Sequence, residues 1–381
     1  MSGLLDGVRV VDLTRVLAGP YAGQILAEMG ADVIKVEPPE GDMARGIGPF
    51  IGGRSLYFSS LNTGKRGIVL DLTTDSGSEG LHALLETADI VIENYRPAAA
   101  KKLGLEPDDL LARHPRLVVV TISGYARSSA RAADGSFDLI AQAESGIMSI
   151  TGEEEGAPIR AGVAISDLAA GLWAALGGVA AYSARLRDGR GRHVEAPLLD
   201  SAMSLLAYMA TSAMGTGVDP DPVGSGHHNN VPYRAFATRD GWVVIAVIGD
   251  KFWPLLCNAI GLEHLADDDR LRTNHQRTGA RTEVDEAVET AIAQITTEEA
   301  LERLSAAGVP HGPLNTVLQA VSTPYVGETG MVAEIDSPEG SYRVVQGPLR
   351  SGDSTRSAPS LGQHTDEILA QVLPDGFTKP G

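Results

Sequence analysis

Asp167 follows Ser166 at the head of the longest helical pattern in the chain, behind the apolar Ala161–Ile165 segment. A carboxylate in a first helical turn ordinarily complements the positive end of the helix dipole. Aimed into a site, the same group can be held ionised by helix amides and attack an acyl carbon, giving an acyl-aspartyl intermediate. The residues alone leave both readings open. A second feature is a concentration of cations in the first third: Lys35, Arg45, Lys65, Arg66, Arg96, Lys101 and Lys102. The set reads as a track for a small anion with several phosphates, or as ordinary solvated charge. Asn94-Tyr95-Arg96-Pro97 stands directly after a strand-like run, where open α/β sheets place their ligand loops.

Other chemistries find little support. The first turn, Thr14-Arg15-Val16-Leu17-Ala18-Gly19-Pro20, lacks the Gly-x-Gly-x-x-Gly spacing that brings backbone against a dinucleotide pyrophosphate. There is no Walker-type loop and no Gly-x-Ser-x-Gly elbow. Cys257 lies in an apolar helical segment and reads as a small core residue. The histidines show no ligand spacing, so no metal is expected. A net charge of −18 repels phosphate backbones and argues against nucleic acid. A single cysteine excludes a disulfide framework and suits a reducing compartment. Met1–Asp6 has no signal-peptide character, and Leu168–Tyr182 reads as too short to span a bilayer. The expectation is a cytoplasmic protein without a membrane partner.

The elements that must position these residues come in alternation. Strand-like runs at Arg9–Leu13, Asp32–Glu37, Ile68–Leu72, Ile90–Glu93 and Leu117–Thr121 are separated by helical patterns at Tyr21–Met29 and Ser76–Thr87. Gly19-Pro20 reads as a turn. Continuous β-branched runs between helices predict a parallel sheet covered on both faces, an α/β, Rossmann-like doubly wound domain. Ser166 to about Arg187 is the strongest helix, with Ser166 as N-cap and Gly189 beyond its end. A shorter helix is expected over Ser201–Met209, then a linker over Gly215–Pro232, and a hairpin within Tyr233–Ile248. Helices at Lys251–Ile260 and Glu298–Ala307 complete a smaller α+β domain. Strands near Val332–Ile335 and Arg343–Gln346 return to the first domain, which is therefore discontinuous. The expected division is 1–214, 215–325 and 326–381.

The order of motifs is more specific than any one of them. Gly7-Val8-Arg9-Val10-Val11-Asp12-Leu13, Ala18-Gly19-Pro20 and Gly30-Ala31-Asp32-Val33-Ile34-Lys35-Val36-Glu37 resemble the opening of family III CoA-transferases. Gly41-Asp42-Met43-Ala44-Arg45, Asn62-Thr63-Gly64-Lys65-Arg66, Ile92-Glu93-Asn94-Tyr95-Arg96-Pro97 and Phe137-Asp138-Leu139-Ile140-Ala141-Gln142 continue the likeness. Ser166-Asp167-Leu168-Ala169-Ala170-Gly171, Gly308-Val309-Pro310-His311-Gly312-Pro313 and Leu361-Gly362-Gln363-His364-Thr365 complete it. The resemblance implies transfer of CoA from an acyl-CoA, with succinyl-CoA or another short acyl-CoA as donor, to a free carboxylic acid. Asp167 would be the catalytic nucleophile, passing through an aspartyl mixed anhydride and an aspartyl-CoA thioester. CoA, a substrate rather than a resident cofactor, would be held by Val16, Ala18, Leu70, Thr73, Asn94, Tyr95, Ala99, Lys102, Leu103 and Phe137. Tyr57, Asp138, Gly224 and Gly226 would serve the acyl group, and the chain would form an interlocked homodimer.

Relatives of the same fold include 2-methylacyl-CoA racemases, which resemble this chain up to a His-Asp pair. Here that pair is Phe137-Asp138, and Phe137 can neither take nor give an α-proton, which favours transfer. A non-catalytic CoA-binding protein is the remaining alternative, and the retained Asp167 weighs against it. The loop usually written Ser-Gly-aromatic-Gly-x-x-Gly-Pro is Ser123-Gly124-Tyr125-Ala126-Arg127-Ser128-Ser129-Ala130 here. His227, His228, Asn229 and Asn230 form a polar loop that reads either as a grip on a dicarboxylate's far end or as plain surface.

Overall fold

Six strands pair in parallel in the computed structural model, which describes residues 3–351 and 356–373. They are β1 (Arg9–Asp12), β2 (Asp32–Glu37), β3 (Arg66–Val69), β4 (Ile90–Glu93), β5 (Val118–Ser123) and β6 (Arg192–Pro197). Their order is β3-β2-β1-β4-β5-β6, so the chain reverses its direction of travel between β1 and β4. At such a switch point the loops leaving two neighbouring strands diverge and open a crevice at the carboxyl edge. The start of the expected 1–214 segment and the end of 326–381 lie partly outside the described residues.

Alternation along the strands explains the layers. Val10, Val33, Ile92 and Val120 point to one face, packed by α1 (Ala18–Glu28) and α6 (Ile165–Asp188). Val11, Ile34, Val91 and Val119 point to the other, covered by α2 (Asp75–Glu86), α4 (Pro107–Arg113) and α10 (Thr365–Val372). With both faces covered, the strands carry almost no polar alternation. The small residues of α6 let it lie close to the sheet: a Cβ added at Gly177 would meet Val194 at 2.6 Å.

The chain divides into two compact units. The first takes residues up to Ile147, Arg160–Tyr208 and the chain from Pro324; the second takes Met148–Ile159 and Met209–Thr323. In the second, β7 (Tyr233–Ala237), β8 (Trp242–Ala246) and β9 (His311–Pro313) form an antiparallel sheet. Its core, around Phe236, Ile245, Trp253 and Val288, is closed by α7 (Phe252–Ala259), α8 (Arg281–Ile292) and α9 (Thr297–Ala307). In the first unit, β10 (Val332–Ile335) and β11 (Tyr342–Val345) form a separate antiparallel hairpin.

The elements themselves depart from the sequence reading in several places. Strand β6 is an edge strand, and its Arg-His-Val-Glu pattern carries no β-branched run. Helix α1 begins at Ala18, because a proline in a first turn sacrifices only an amide that has no helical partner anyway. The helix expected at Ser201–Met209 is two, Leu198–Ser204 and Ala207–Thr216, the second running into the expected linker. The apolar stretch at Leu168–Tyr182 belongs to a helix of 24 residues, about 36 Å at 1.5 Å per residue. It is long and apolar enough, by length and composition, to cross a bilayer. It packs instead on α1, β5 and β6, leaving Leu172, Trp173 and Leu176 exposed.

Candidate active site

The crevice at the switch point is built by the loop after β1 and the loop after β4, tied to each other. The Asn94 side chain accepts from the Arg15 amide and donates to the Arg15 carbonyl, both at 3.0 Å. The cleft beside this clamp, about 410 Å3, is walled by Arg15–Ala18, by Asn94, Tyr95, Arg96 and Ala99, by the 132–137 segment, and by Asp167. A second cavity of about 450 Å3 lies over the ends of β2 and β3, lined by Leu70, Thr73, Tyr95 and Leu103. Arg15 and Tyr95 line both.

Asp167 is the third residue of α6, on the cleft wall. Its carboxyl is pushed up to about 7, first by burial and then by the charge of Asp138, and among the described residues no hydrogen bond or cation offsets these. The Ser166 amide at the head of the same helix is already taken. Asp138, at the start of α5 (Asp138–Ser145), accepts from the Ser166 amide at 2.9 Å and from Gln142 at 2.7 Å. Ser166 is therefore not the N-cap. Ala164 holds that position without a side-chain bond, and a carboxylate from another helix does the capping. Burial and a second carboxylate outweigh the helix dipole here. The result is a poorly solvated, basic carboxylate facing a cleft.

The remaining expected residues divide. Val16, Ala18, Asn94, Tyr95, Ala99 and Phe137 line the first cleft, and Leu70, Thr73, Tyr95 and Leu103 the second. Phe137 is 70% exposed at the rim. Tyr57 is half-buried, and its phenol is raised by burial and by Asp167, which places it within electrostatic reach of that carboxylate. Lys102 is exposed at the end of α3 (Pro97–Lys102) and lines neither cavity. Gly224 and Gly226 belong to the second unit, where a Cβ at Gly224 would meet the Glu153 carboxylate at 2.6 Å; neither lines the cleft. The polar loop of His227 and His228 is in that unit too, its carbonyls held by Arg281.

The expected basic track needs correction. Lys35 and Lys65 are wholly buried against Asp42 and Asp12, Arg45 is forked onto Glu37, and Arg66 is paired with Asp32. These four are structural, since a lysine in a dry interior keeps its charge only beside a carboxylate. Arg96, Lys101 and Lys102 remain, and the sequence reading missed Arg15. Arg15 makes no ion pair among the described residues, and its guanidinium lies 5.6 Å from the Tyr95 ring centroid. Its Nε is shut from solvent without a hydrogen-bond partner. Its place directly after β1, at the switch point, is the signal that could have found it.

A crevice at the carboxyl edge of a doubly wound sheet, with an uncompensated carboxylate and a half-buried arginine on its walls, defines a protein built to bind and act on an anionic ligand. The chain belongs to CoA-transferase family III, whose profile matches residues 5–365. It is 37% identical to the succinate–glutarate CoA-transferase of Agrobacterium fabrum, covering 97% of this chain and 95% of that one. It is 35% identical to the succinyl-CoA:mesaconate CoA-transferase of Haloarcula marismortui over 99% and 98% of the two chains. The crystal structure of a CAIB/BAIF family protein from Brucella suis superposes with a TM-score of 0.87 at 35% identity, covering 98% of this chain and all of that one.

Proposed function

We propose that the protein transfers CoA from a short dicarboxylyl-CoA, succinyl-CoA being the first candidate, to a second dicarboxylic acid, with Asp167 as nucleophile. The observation that carries this is Asp167 itself: a cleft-facing carboxylate raised to about 7 by burial and by Asp138, with no cation among the described residues to neutralise it. Poor solvation raises its basicity, and ionised it attacks the thioester carbonyl. The C–O bond that forms gives a mixed anhydride, and the C–S bond that breaks releases CoA thiolate. The thiolate then attacks the aspartyl carbonyl, freeing the donor carboxylate and leaving an aspartyl-CoA thioester. The acceptor carboxylate displaces the thiolate from Asp167, and the thiolate takes the acceptor acyl group, restoring the free aspartate.

Arg15 and the backbone of Val16–Ala18 would hold CoA between the two cavities. Dicarboxylate substrates are supported by relatives whose names specify succinate, glutarate and mesaconate. Transfer is favoured over racemisation because no histidine is among the described residues lining the cleft, and Phe137 at its rim cannot move a proton. A homodimer is part of the same proposal. The exposed Leu172, Trp173 and Leu176 of α6 join Ile25, Met29 and Leu349 in an apolar groove suited to a second copy of the chain.

The test is incubation in heavy water with succinyl-CoA, a 2-methylacyl-CoA and a panel of free dicarboxylates, followed by mass analysis. New acyl-CoA species establish transfer and name the acceptor. Deuterium at an α-carbon without new species refutes it.

A further inference from the structure

The two lysines removed from the expected phosphate track have another task, because both reach into the loop that walls the cleft. Lys35 Nζ donates to the Thr14 carbonyl at 2.8 Å and pairs with Asp42 at 3.0 Å, with both side chains at 1% exposure or less. Lys65 Nζ donates to the Pro20 carbonyl at 2.8 Å, to Asp12 at 2.8 Å and to Asn62 at 3.0 Å. Between these anchors, Asp12 accepts from the Thr14 amide at 3.0 Å, and the Asp42 carboxylate faces the Val16 amide at 3.3 Å from each oxygen. Residues 14 to 20 are thus held at both ends and in the middle by four buried charges.

The middle anchor sits where the backbone is least willing. Val16 has φ +71°, a left-handed conformation that a β-branched residue rarely adopts. The neighbouring helix makes room for the cluster. A Cβ at Gly23 would stand 2.7 Å from Asp12 Oδ2 and 2.9 Å from Lys65 Nζ, and one at Gly19 would collide with Thr14. Buried ion pairs are weak stabilisers against apolar packing, so a cluster of this kind is better explained by the geometry that it imposes.

We propose that Asp12, Lys65, Lys35 and Asp42 are positioning residues that hold Val16 in its left-handed conformation and so present the Arg15–Ala18 wall to the acyl-CoA. The inference rests on the assignment of that wall to CoA. It makes Asp42 the residue that sets the loop, acting through the Val16 backbone without touching the ligand.

Calorimetric titration of the full-length protein with CoA tests it, beginning with the wild type. Absence of binding there refutes the assignment of the cleft to CoA, a different failure from that of the present proposal. Asp42→Asn removes the charge facing Lys35 and one of the acceptors for Val16 and Ala44, and CoA affinity is expected to fall about tenfold. Adding Val16→Gly, which adopts positive φ freely, is expected to recover most of that affinity without recovering lost thermal stability. Recovery of binding alone is a result that a merely structural role would not give. Unchanged affinity in folded Asp42→Asn, or no recovery in the double variant, overturns the proposal. Should Asp42→Asn fail to fold, Thr14→Val removes the hydroxyl bond to Asp12 and so weakens that anchor, leaving the amide bond in place. Weaker CoA binding by that variant supports the proposal and unchanged binding refutes it.

Discussion

Asp138 caps the helix that carries Asp167 and at the same time opposes its charge. One oxygen of Asp138 accepts the Ser166 amide at 2.9 Å, and the negative field of the same carboxylate helps to raise Asp167 to about 7. One residue thereby fixes the position of the proposed nucleophile and keeps it basic. The other oxygen of Asp138 accepts from Gln142 and faces the Arg160 guanidinium at 3.8 Å, and the side-chain carbonyl of Gln142 accepts from the Ala161 amide at 2.9 Å, which ties the approach to α6 into the arrangement.

Asp167→Asn should abolish exchange, by about a thousandfold or more, while CoA still binds. The same change should stabilise the protein at alkaline pH. The unfolded chain releases the Asp167 proton near pH 4, whereas the folded chain keeps it to about 7. Stability contributed by this group is therefore lost as pH rises through that window. At pH 8 the variant should gain on the order of 1–2 kcal/mol, and at pH 4 almost nothing, as read by denaturant unfolding at both values.

A nucleophile that must be ionised gives a rate that climbs with pH. The kcat/KM of the exchange should rise through about pH 7, with an acid limb set by Asp167. Asp138→Asn keeps an oxygen to cap Ser166 and removes the charge, so the limb should move to lower pH. A limb that stays in place would remove Asp138 from the electrostatics of the site.

Arg15→Gln should raise the KM for acyl-CoA about tenfold and change kcat little, because the group would hold the ligand equally in the ground state and the transition state. Arg15 lines both cavities and makes no ion pair among the described residues, so a ligand anion would be its first charged partner. Steady-state kinetics at fixed ionic strength checks it.

Much of this arrangement was legible before any coordinates. Runs such as Ile90–Glu93 and Asp32–Glu37 are apolar on both faces, and only a covered parallel sheet accepts them, so these strands lie where they were expected. Edge strand β6 was not legible, because Arg192 and Glu195 are tolerated there by water and by the Ser123 hydroxyl, which donates to Glu195. Asp167 could be singled out by its place at the head of α6, but whether the helix amides would hold it ionised could not. That depended on burial and on the charge of Asp138, 29 positions earlier in the chain. Lys35 and Lys65 misled for a related reason. A lysine in a strand or a turn reads as solvated, and only the fold shows the two aspartates beneath the loop.

Close packing around that loop gives a prediction independent of the reaction. A Cβ at Gly19 would lie 2.2 Å from Thr14 Cβ, and Thr14 is itself fixed by two bonds to Asp12. Gly19→Ala must push the loop or the start of α1 outward, at a cost of about 1–3 kcal/mol. Thermal unfolding should register it as a lowered midpoint.

Behind the sheet, His82 on α2 and His114 at the end of α4 share a hydrogen bond of 3.1 Å with their rings stacked, both at 9% exposure or less. One ring must donate and the other accept, so the bond exists only while at least one ring is neutral. Burial pulls His82 down to about 4, helped by the positive charge of Arg113, and it lowers His114 as well; Glu86 opposes both. An unfolded chain takes up these protons near pH 6.5, so the stability of the pair is present above that value and is lost as pH falls towards 4. Asp167 acts in the opposite sense over an overlapping range, so the comparison belongs in an Asp167→Asn background. There, the unfolding free energy should drop between pH 6.5 and pH 4.5, and His82→Gln should flatten the drop while lowering stability at pH 7.5. Equal slopes with and without His82 would show that the pair titrates as it does in the unfolded chain.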